Sequence, residues 1–152
     1  MSAANEVVHA LLIPLGRWSL VIPSALIAEV VTVPELAPVP LGASWLLGVS
    51  AWRSRPLPLI SFDGLLGDPE PEISRRSRMV VFYPLPGRAA RDFFAVKAAL
   101  EPQPTAFEDA QVFGERLPVP SALGAGFRLG SLQVVIPDLT ALARQLYAAP
   151  AA

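Results

Sequence analysis

Two tryptophans and two arginines within a dozen positions make one stretch of this sequence rich in contact-making side chains. They are Trp45, Trp52, Arg53 and Arg55. Tryptophan and arginine dominate the hot spots of protein interfaces because they combine a large buried area with directed polar contacts. In the alternative, both tryptophans belong to a hydrophobic core and the arginines cover them with their aliphatic stems. Because Arg53 and Arg55 flank a serine in a predicted turn, we favour a surface that binds a partner protein.

Side chains able to carry out acid–base or nucleophilic chemistry are few. Cysteine is absent and His9 is the only histidine, which excludes disulfides, thiolate chemistry and clusters of histidine ligands. Ser61 and Ser131 lack the glycine-flanked elbow of a hydrolase nucleophile. We therefore predict that the chain is not an enzyme and holds neither a cofactor nor a metal. The alternative that stays open is a small ligand-binding or hydrolytic β-barrel that uses His9 with Asp63 or Asp138.

Composition narrows the classes of partner. The 152 residues carry 12 basic and 13 acidic side chains, and a formal charge of −1 argues against nucleic-acid binding. Apolar residues make up 53% and charged residues 16%, which excludes a disordered chain. Residues 36–52 form the longest stretch without charge, but prolines and glycines interrupt it and it is shorter than the roughly 20 residues that span a bilayer. Residues 1–6 lack a basic signal-peptide region, so we expect a cytoplasmic protein without membrane insertion.

Short apolar runs between turn residues predict a mostly β fold. The chain contains 17 prolines and 10 glycines, which disfavour long helices. The predicted strands cover residues 7–15, 18–22, 29–33, 57–62, 79–83, 93–98 and 131–136. Most of these runs are apolar on both faces, as expected of strands that are buried on both sides. Two small barrels packed against each other would bury strands in this way.

The sequence also predicts one boundary and a few helical turns. Residues 67–72 form an acidic, proline-rich linker before the arginines of 75–78, and we place the boundary between two halves near residues 67–78. Asp138 is a good N-cap for a C-terminal helix with leucines at helical spacing. The turn predictions are one helical turn that Ser24 caps and that runs through Glu29, another over residues 43–47, and a capping box formed by Thr105 and Glu108.

An ordered set of residues resembles the CheW-like family of bacterial chemosensory coupling proteins. The set consists of Leu15-Gly16, residues 18–22, Ile27, Glu29-Val30, Gly48-Val49, Arg53, Pro58 and Leu66-Gly67. The resemblance covers residues 11–67 without a gap and is weaker in the second half of the chain. Ala51, Ser54 and Ser61 replace the family's Asn, Gly and Asp, so the chain is similar to a divergent member, of the ChpC-like kind found in type IV pilus systems.

The resemblance implies an all-β fold of two small SH3-like five-stranded barrels that share a hydrophobic core, as a single domain over residues 1–152. It further implies an adaptor without activity of its own. Its partners would be the cytoplasmic tip of a methyl-accepting chemoreceptor and the CheA-like regulatory domain of a histidine kinase, which has the same fold. Ile27, Gly48 and Arg53 match family positions at or near the receptor-binding surface. We expect Trp45 and Trp52 to replace contacts that are lost where this sequence departs from the family's Asn, Gly and Asp. A barrel that binds only the kinase stays an alternative.

Overall fold

The computed structural model describes residues 7–40, 42–85, 87–108 and 113–146. Residues 1–6, on which the expectation of a missing signal peptide rests, lie outside this part. The described strands are β1 (Val7–Pro14), β2 (Ser19–Pro23), β3 (Ile27–Thr32), β4 (Leu46–Trp52), β5 (Arg55–Ile60), β6 (Arg78–Phe82), β7 (Phe94–Ala98), β8 (Gln103–Glu108), β9 (Arg116–Leu117), β10 (Gly124–Leu129) and β11 (Leu132–Pro137). The described helices are α1 (Phe62–Leu65), α2 (Leu139–Leu146) and a 3-10 turn (Ser24–Leu26).

The strands form two sheets. The terminal sheet has the order β8-β1-β2-β11-β10-β9, and the central sheet has the order β3-β6-β7-β5-β4. Neighbours are antiparallel except for one parallel pair in each sheet, β2 with β11 and β5 with β7. Each parallel pair joins an early hairpin to a later one, so both sheets depend on contacts between residues distant in sequence.

The central sheet curls until its two edges meet. Trp52 belongs to the edge strand β4 and Glu29 to the opposite edge strand β3, yet the Trp52 indole Nε1 donates to Glu29 Oε1 at 2.9 Å. The enclosed side is filled by a buried cluster. Its members are Trp52, Leu57, Leu59, Met79, Val81 and Ala95. The central sheet is therefore a small barrel with its own interior.

The terminal sheet closes through aromatic rings. Phe107 of the edge strand β8 lies 5.4 Å from Phe113 between ring centroids, and Phe113 lies 5.5 Å from Phe127 of β10. These rings pack with partly buried neighbours around Ala10, Val21 and Val134. The described strands thus form two packed barrels, as expected. The central barrel has the expected five strands, and the terminal barrel has six, one more than the family resemblance implied.

A shared core between the barrels explains why so many strands are apolar on both faces. Successive side chains of a strand point to opposite sides. On β6, Met79 and Val81 pack into the central barrel, while Val80 and Phe82 pack into the shared core. The shared core also contains Ile13, Leu20, Ile22, Ile60, Phe94, Val96, Val135 and Leu142. Both faces of such a strand lose water, which requires a continuous apolar run.

The boundary predicted near residues 67–78 does not separate the two barrels. Strands β3–β5 precede this linker and β6–β7 follow it, yet all five form the central sheet. The terminal sheet takes β1–β2 from one end of the chain and β8–β11 from the other. The prediction was wrong because charge reversal and proline mark a surface loop and say nothing about which strands pair across it.

The predicted C-terminal helix is confirmed, and two predicted helical turns are wrong. Asp138 Oδ1 accepts a hydrogen bond from Ala141 N at 3.0 Å, the geometry of an N-cap, and α2 buries Leu142. The turn predicted through Glu29 is a shorter 3-10 turn over Ser24–Leu26 without a side-chain cap, and β3 begins at Ile27. Residues 43–45 make only a tight turn, in which Leu46 N donates to Ala43 O at 3.0 Å, and Leu46 and Leu47 already belong to β4. Thr105 and Glu108 belong to β8, because pairing with β1 outweighs the local capping preference.

Strand prediction also failed at one end of β5. The predicted run 57–62 stops at Ile60, since the hydroxyl of Ser61 accepts from Gly64 N at 2.9 Å and caps α1. None of the helices in the described ranges has the length and apolar character required to cross a bilayer.

Candidate partner-binding surface

Trp52 and Arg53 are held by one carboxylate. Trp52 is 7% exposed and its indole nitrogen donates to Glu29 Oε1. Arg53 Nη2 lies 3.4 Å from the same oxygen, and Arg53 Cζ lies 4.6 Å from the centre of the Trp52 ring. The Arg53 side chain is 63% exposed. The tryptophan is therefore a buried support, and the guanidinium that stacks on it faces solvent.

The turn that carries Arg53 has an unfavourable backbone. Trp52 pairs with Arg55, so Arg53 and Ser54 form a two-residue hairpin loop with φ values of 48° and 62°. Both values lie in the left-handed region, where asparagine and glycine are favoured. The family pattern has a glycine at the position of Ser54, which agrees with this geometry. This chain has arginine and serine at the tip of the hairpin, where the backbone conformation disfavours residues with a side chain.

A second guanidinium stacks beside the first. Arg55 Cζ lies 4.9 Å from the centre of the Phe93 ring, and the Phe93 ring lies 5.1 Å from the Trp52 ring. Tyr83, which is 47% exposed, continues the row with a ring 6.0 Å from Phe93. We call Glu29, Trp52, Arg53, Arg55, Tyr83 and Phe93 the aromatic–arginine patch.

Gly48 lies on the same strand as Trp52 and has a structural role. Its φ of +155° falls at a bulge of β4, and a Cβ there would lie 2.9 Å from Ala37 O and 3.0 Å from Leu36 Cβ. Ala37 and Val49 exchange backbone hydrogen bonds of 2.8 and 2.9 Å beside it. Gly48 therefore permits the close approach of the chain's own segment around Ala37.

Replacing Gly48 by alanine is expected to lower the free energy of unfolding by about 2–3 kcal/mol, because both the backbone angle and the close contacts oppose a Cβ. Gly67→Ala is the matched control. Gly67 also has a positive φ, of +82°, but nothing lies within 4 Å of its missing Cβ. Urea unfolding should show the larger loss for Gly48→Ala; equal losses would mean that the contact with Ala37 costs nothing.

Ile27 and Trp45 lie apart from the patch. Both are half-buried and pack against the shared core, whereas Trp52 fills the central barrel. Trp45 O accepts a hydrogen bond from Ser61 N at 2.7 Å. The structure thus brings together Trp52 and Arg53 and places Gly48 on the strand of Trp52. It places Ile27 and Trp45 against the shared core. A partner-binding role for these five residues stays a prediction.

From the sequence we did not predict that the Phe93 ring lies beneath Arg55, and we assigned no contact to Glu29. One signal for Glu29 was present, since it is the only charged residue of β3 and lies between apolar neighbours. A carboxylate in such a strand needs a polar partner close by. Nothing local to Phe93 shows that its ring would meet Trp52 from a distant strand.

The residues of the alternative hydrolytic or ligand-binding site do not come together in the structure. His9 is exposed on β1, opposite Ala106 of β8. Asp63 is buried in α1 and accepts from Gly16 N at 3.1 Å, and Asp138 caps α2. No hydrogen bond or ion pair joins His9 to either aspartate among the described residues. Within the same ranges, no group of three or more histidine or acidic side chains could hold a metal ion.

A buried polar cluster fastens the 67–72 loop to the shared core. Lys97 is 3% exposed and its Nζ lies 2.7 Å from Glu70 Oε1. The ammonium also donates to Pro71 O, and the hydroxyl of Ser61 donates to Glu70 Oε2. Asp63 lies in the same cluster. Burial raises the pKa of Asp63 from 3.8 to about 6; the Gly16 amide and Lys97 oppose the rise, and Glu70 and Asp68 add to it.

Asp63 should make unfolding depend on pH between about 4 and 6. Its folded pKa lies above the unfolded value, so its contribution to stability is complete below the unfolded pKa and is lost as the pH rises through about 6. The Asp63→Asn variant keeps an oxygen for Gly16 N and cannot titrate. Relative to this variant, the parent should lose about 2–3 kcal/mol between pH 4 and pH 7 in urea titrations. A difference that stays constant with pH would show that Asp63 titrates normally.

These features define a paired-barrel β protein with an organised tryptophan–arginine patch on one barrel. The family model of the CheW-like domain matches residues 9–146, and the chain belongs to that family. This membership supports the scaffold role that the sequence resemblance implied, and it agrees with the expectation that the chain is not an enzyme.

A solved structure shares the fold. The crystal structure of the scaffolding protein TtCheW from Thermoanaerobacter tengcongensis superposes with a TM-score of 0.67, at 14% sequence identity. The match covers 88% of this chain and 90% of that one. No curated protein matches the sequence.

Proposed function

We propose that the chain is a non-catalytic adaptor that couples the cytoplasmic tip of a chemoreceptor to a sensor histidine kinase. Family membership over residues 9–146 is the observation that carries this proposal. The pathway would be chemotaxis or the type IV pilus signalling of the ChpC-like kind, and the protein would act in the cytoplasm. The fold supports the proposal because its two barrels present different surfaces, on which two partners would bind at once.

The receptor side would use the aromatic–arginine patch. Arg53 is exposed and stacked, so little side-chain freedom is lost when it meets a partner. Tyr83 adds an exposed aromatic ring next to it. The other predicted residues would contribute indirectly, by fixing the strands on which the exposed side chains lie. These residues are Ile27, Gly48, Trp45 and Trp52.

The kinase side would use the terminal barrel. An apolar cleft of about 230 Å³ opens there, lined by Val8, Ala10, Val21, Pro23, Phe107, Phe113 and Ile136. Val8 is 51% exposed at its rim. Burial of such side chains favours association with an equally apolar protein surface. The regulatory domain of the kinase, to which the family resemblance assigns the same barrel fold, would fit there.

The adaptor would act by changing the populations of two arrangements of the kinase relative to the receptor. An adaptor bound to both partners fixes the kinase relative to the receptor, and a receptor shift then alters kinase activity through unequal affinity for two arrangements. The chain would supply only geometry and binding free energy. This requirement matches a fold stiffened by a shared core and two closed barrels.

Binding of each partner separately tests the proposal. The purified chain should bind a receptor cytoplasmic fragment and a kinase regulatory domain in surface plasmon resonance. Arg53→Ala should weaken receptor binding about tenfold, and Arg75→Ala, on the exposed linker, should leave it unchanged. If the chain binds the kinase but not the receptor, it acts only as a spacer between kinases. If it binds neither partner, the proposal is overturned. Kinases from flagellar and pilus systems, compared side by side, would distinguish the pathway.

A further inference from the structure

A cleft lined by three arginines lies beside the aromatic–arginine patch. It has a volume of about 410 Å³ and is lined by Arg53, Ser54, Arg55, Pro56, Arg91 and Asp92. The hairpin between β4 and β5 forms one side of this arginine cleft, and the loop before β7 forms the other. The three arginines are all exposed, so their guanidinium groups are available to a ligand from solvent.

Two of these guanidinium groups are held in place before any ligand arrives. Arg53 stacks on Trp52 and Arg55 on Phe93, and the two rings are in contact with each other. Trp52 is fixed in turn by its hydrogen bond to Glu29. Stacking leaves the N–H groups of a guanidinium free to donate in its plane, and it lowers the entropy cost of binding.

The charge of the cleft is positive. Asp92 already bonds Arg88 Nε, at 3.3 Å, and accepts from Ala89 N at 3.1 Å. Glu29 is shared between Trp52 and Arg53. By contrast, Arg55 and Arg91 form no ion pair with any residue in the described ranges. A concentration of unpaired positive charge is notable on a chain whose formal net charge is −1.

We propose that the arginine cleft binds an acidic segment of a partner protein, with the guanidinium groups of Arg53, Arg55 and Arg91 pairing with its carboxylates. This inference rests on the proposed adaptor function and specifies the chemistry of one partner. Arginine pairs with carboxylates through two parallel hydrogen bonds, which gives direction as well as attraction. The cleft is shallow and walled by exposed side chains, so it suits an extended or helical segment better than a small molecule.

A polyanion is a poorer occupant. The sequence pI is about 5.8, so the rest of the surface would repel nucleic acid, whereas a protein segment engages only the local charge. The acidic segment would also account for the unfavourable turn at Arg53 and Ser54, since that turn places Arg53 at the rim of the cleft.

Fluorescence anisotropy with synthetic peptides tests the inference without any natural partner. The probes are a labelled glutamate-rich peptide and the same peptide with glutamine in place of glutamate. The parent protein should bind the acidic probe at least about fivefold more tightly at low salt, and Arg55→Ala with Arg91→Ala should abolish this preference. Arg75→Ala with Arg76→Ala, which removes two exposed arginines elsewhere, is the control and should keep the preference.

Three results would overturn the inference: no preference in the parent, a preference that survives in the Arg55/Arg91 variant, or equal loss in the control. Displacement of the acidic probe by inorganic pyrophosphate at a lower concentration than by unlabelled peptide would also contradict it, because the cleft would then be a site for small phosphate anions. Failure with the peptides leaves receptor and kinase binding untouched. Failure of both partners to bind, with the peptide preference intact, would overturn only the adaptor function.

Discussion

Replacing Lys97 by methionine is expected to lower the free energy of unfolding by about 3–4 kcal/mol. Lys97 is 3% exposed, and its ammonium group bonds Glu70 and Pro71 O. Methionine fills similar volume but leaves Glu70 without its counterion and the Pro71 carbonyl without its donor. Removal of one partner from a buried ion pair costs more than the pair itself contributes. Urea unfolding at pH 7 measures the loss.

The double variant Lys97→Met with Glu70→Gln provides the control. A neutral glutamine no longer needs the ammonium, so the double variant should regain about 1–2 kcal/mol relative to Lys97→Met alone. A loss below about 1 kcal/mol in the single variant would contradict the account, since it would show that Glu70 is satisfied without Lys97. Additive losses in the two single variants would show that the two groups are not coupled.

Replacing Trp52 by alanine is expected to cost about 3–5 kcal/mol, because it empties part of the central barrel and removes the bond that joins β3 to β4. The same change removes the ring beneath Arg53 and the contact with Phe93. Calorimetry should show a large fall in melting temperature, and any folded fraction should bind a receptor fragment more weakly than the parent does.

Trp52→Phe separates packing from the hydrogen bond. Phenylalanine keeps a ring in the barrel but cannot donate to Glu29, so we expect a loss of about 1–2 kcal/mol. Losses that match Trp52→Ala would mean that the Glu29 contact, and not ring packing, holds the barrel closed. A loss below about 1 kcal/mol for Trp52→Ala would contradict the placement of Trp52 in the core.

Burial of strands on both faces could be predicted from local composition, whereas the paired barrels themselves followed from the family resemblance. In the predicted run 79–83, residues 79–82 are apolar at every position, and the structure shows one face in the central barrel and the other in the shared core. A strand with this sequence has no polar face that could be exposed to solvent. The C-terminal helix was predictable for a similar reason, since Asp138 and the leucines behind it are all local signals.

Other strands could not be predicted locally. Residues 46–52 form β4, but Gly48 and the neighbouring serines and tryptophans resemble a turn. Gly48 is a bulge and belongs inside the strand. Strand β8 contains Pro104, and β10 contains Gly124 and Gly126, so both lack the apolar runs that predict strands. Their strand structure comes from pairing with β1 and β11, which only the folded chain reveals.

The candidate site was predictable in part. The proximity of Trp52 and Arg53 followed from adjacency and residue type. Glu29, which orients both, is more than twenty positions away, and its place at the opposite sheet edge follows only from closure of the barrel. Trp45 shares its residue type with Trp52 but lies in the turn before β4 and packs against the shared core.

Formation of a three-component complex tests the adaptor function most directly. A receptor cytoplasmic fragment, a kinase regulatory domain and this chain would be mixed at equal concentrations and analysed by sedimentation velocity, with each pair of components as controls. We predict one faster species that contains all three components and is weakened by Arg53→Ala. If the receptor fragment and the kinase domain compete for the chain, or neither sediments with it, two separate binding surfaces do not exist and the account is wrong.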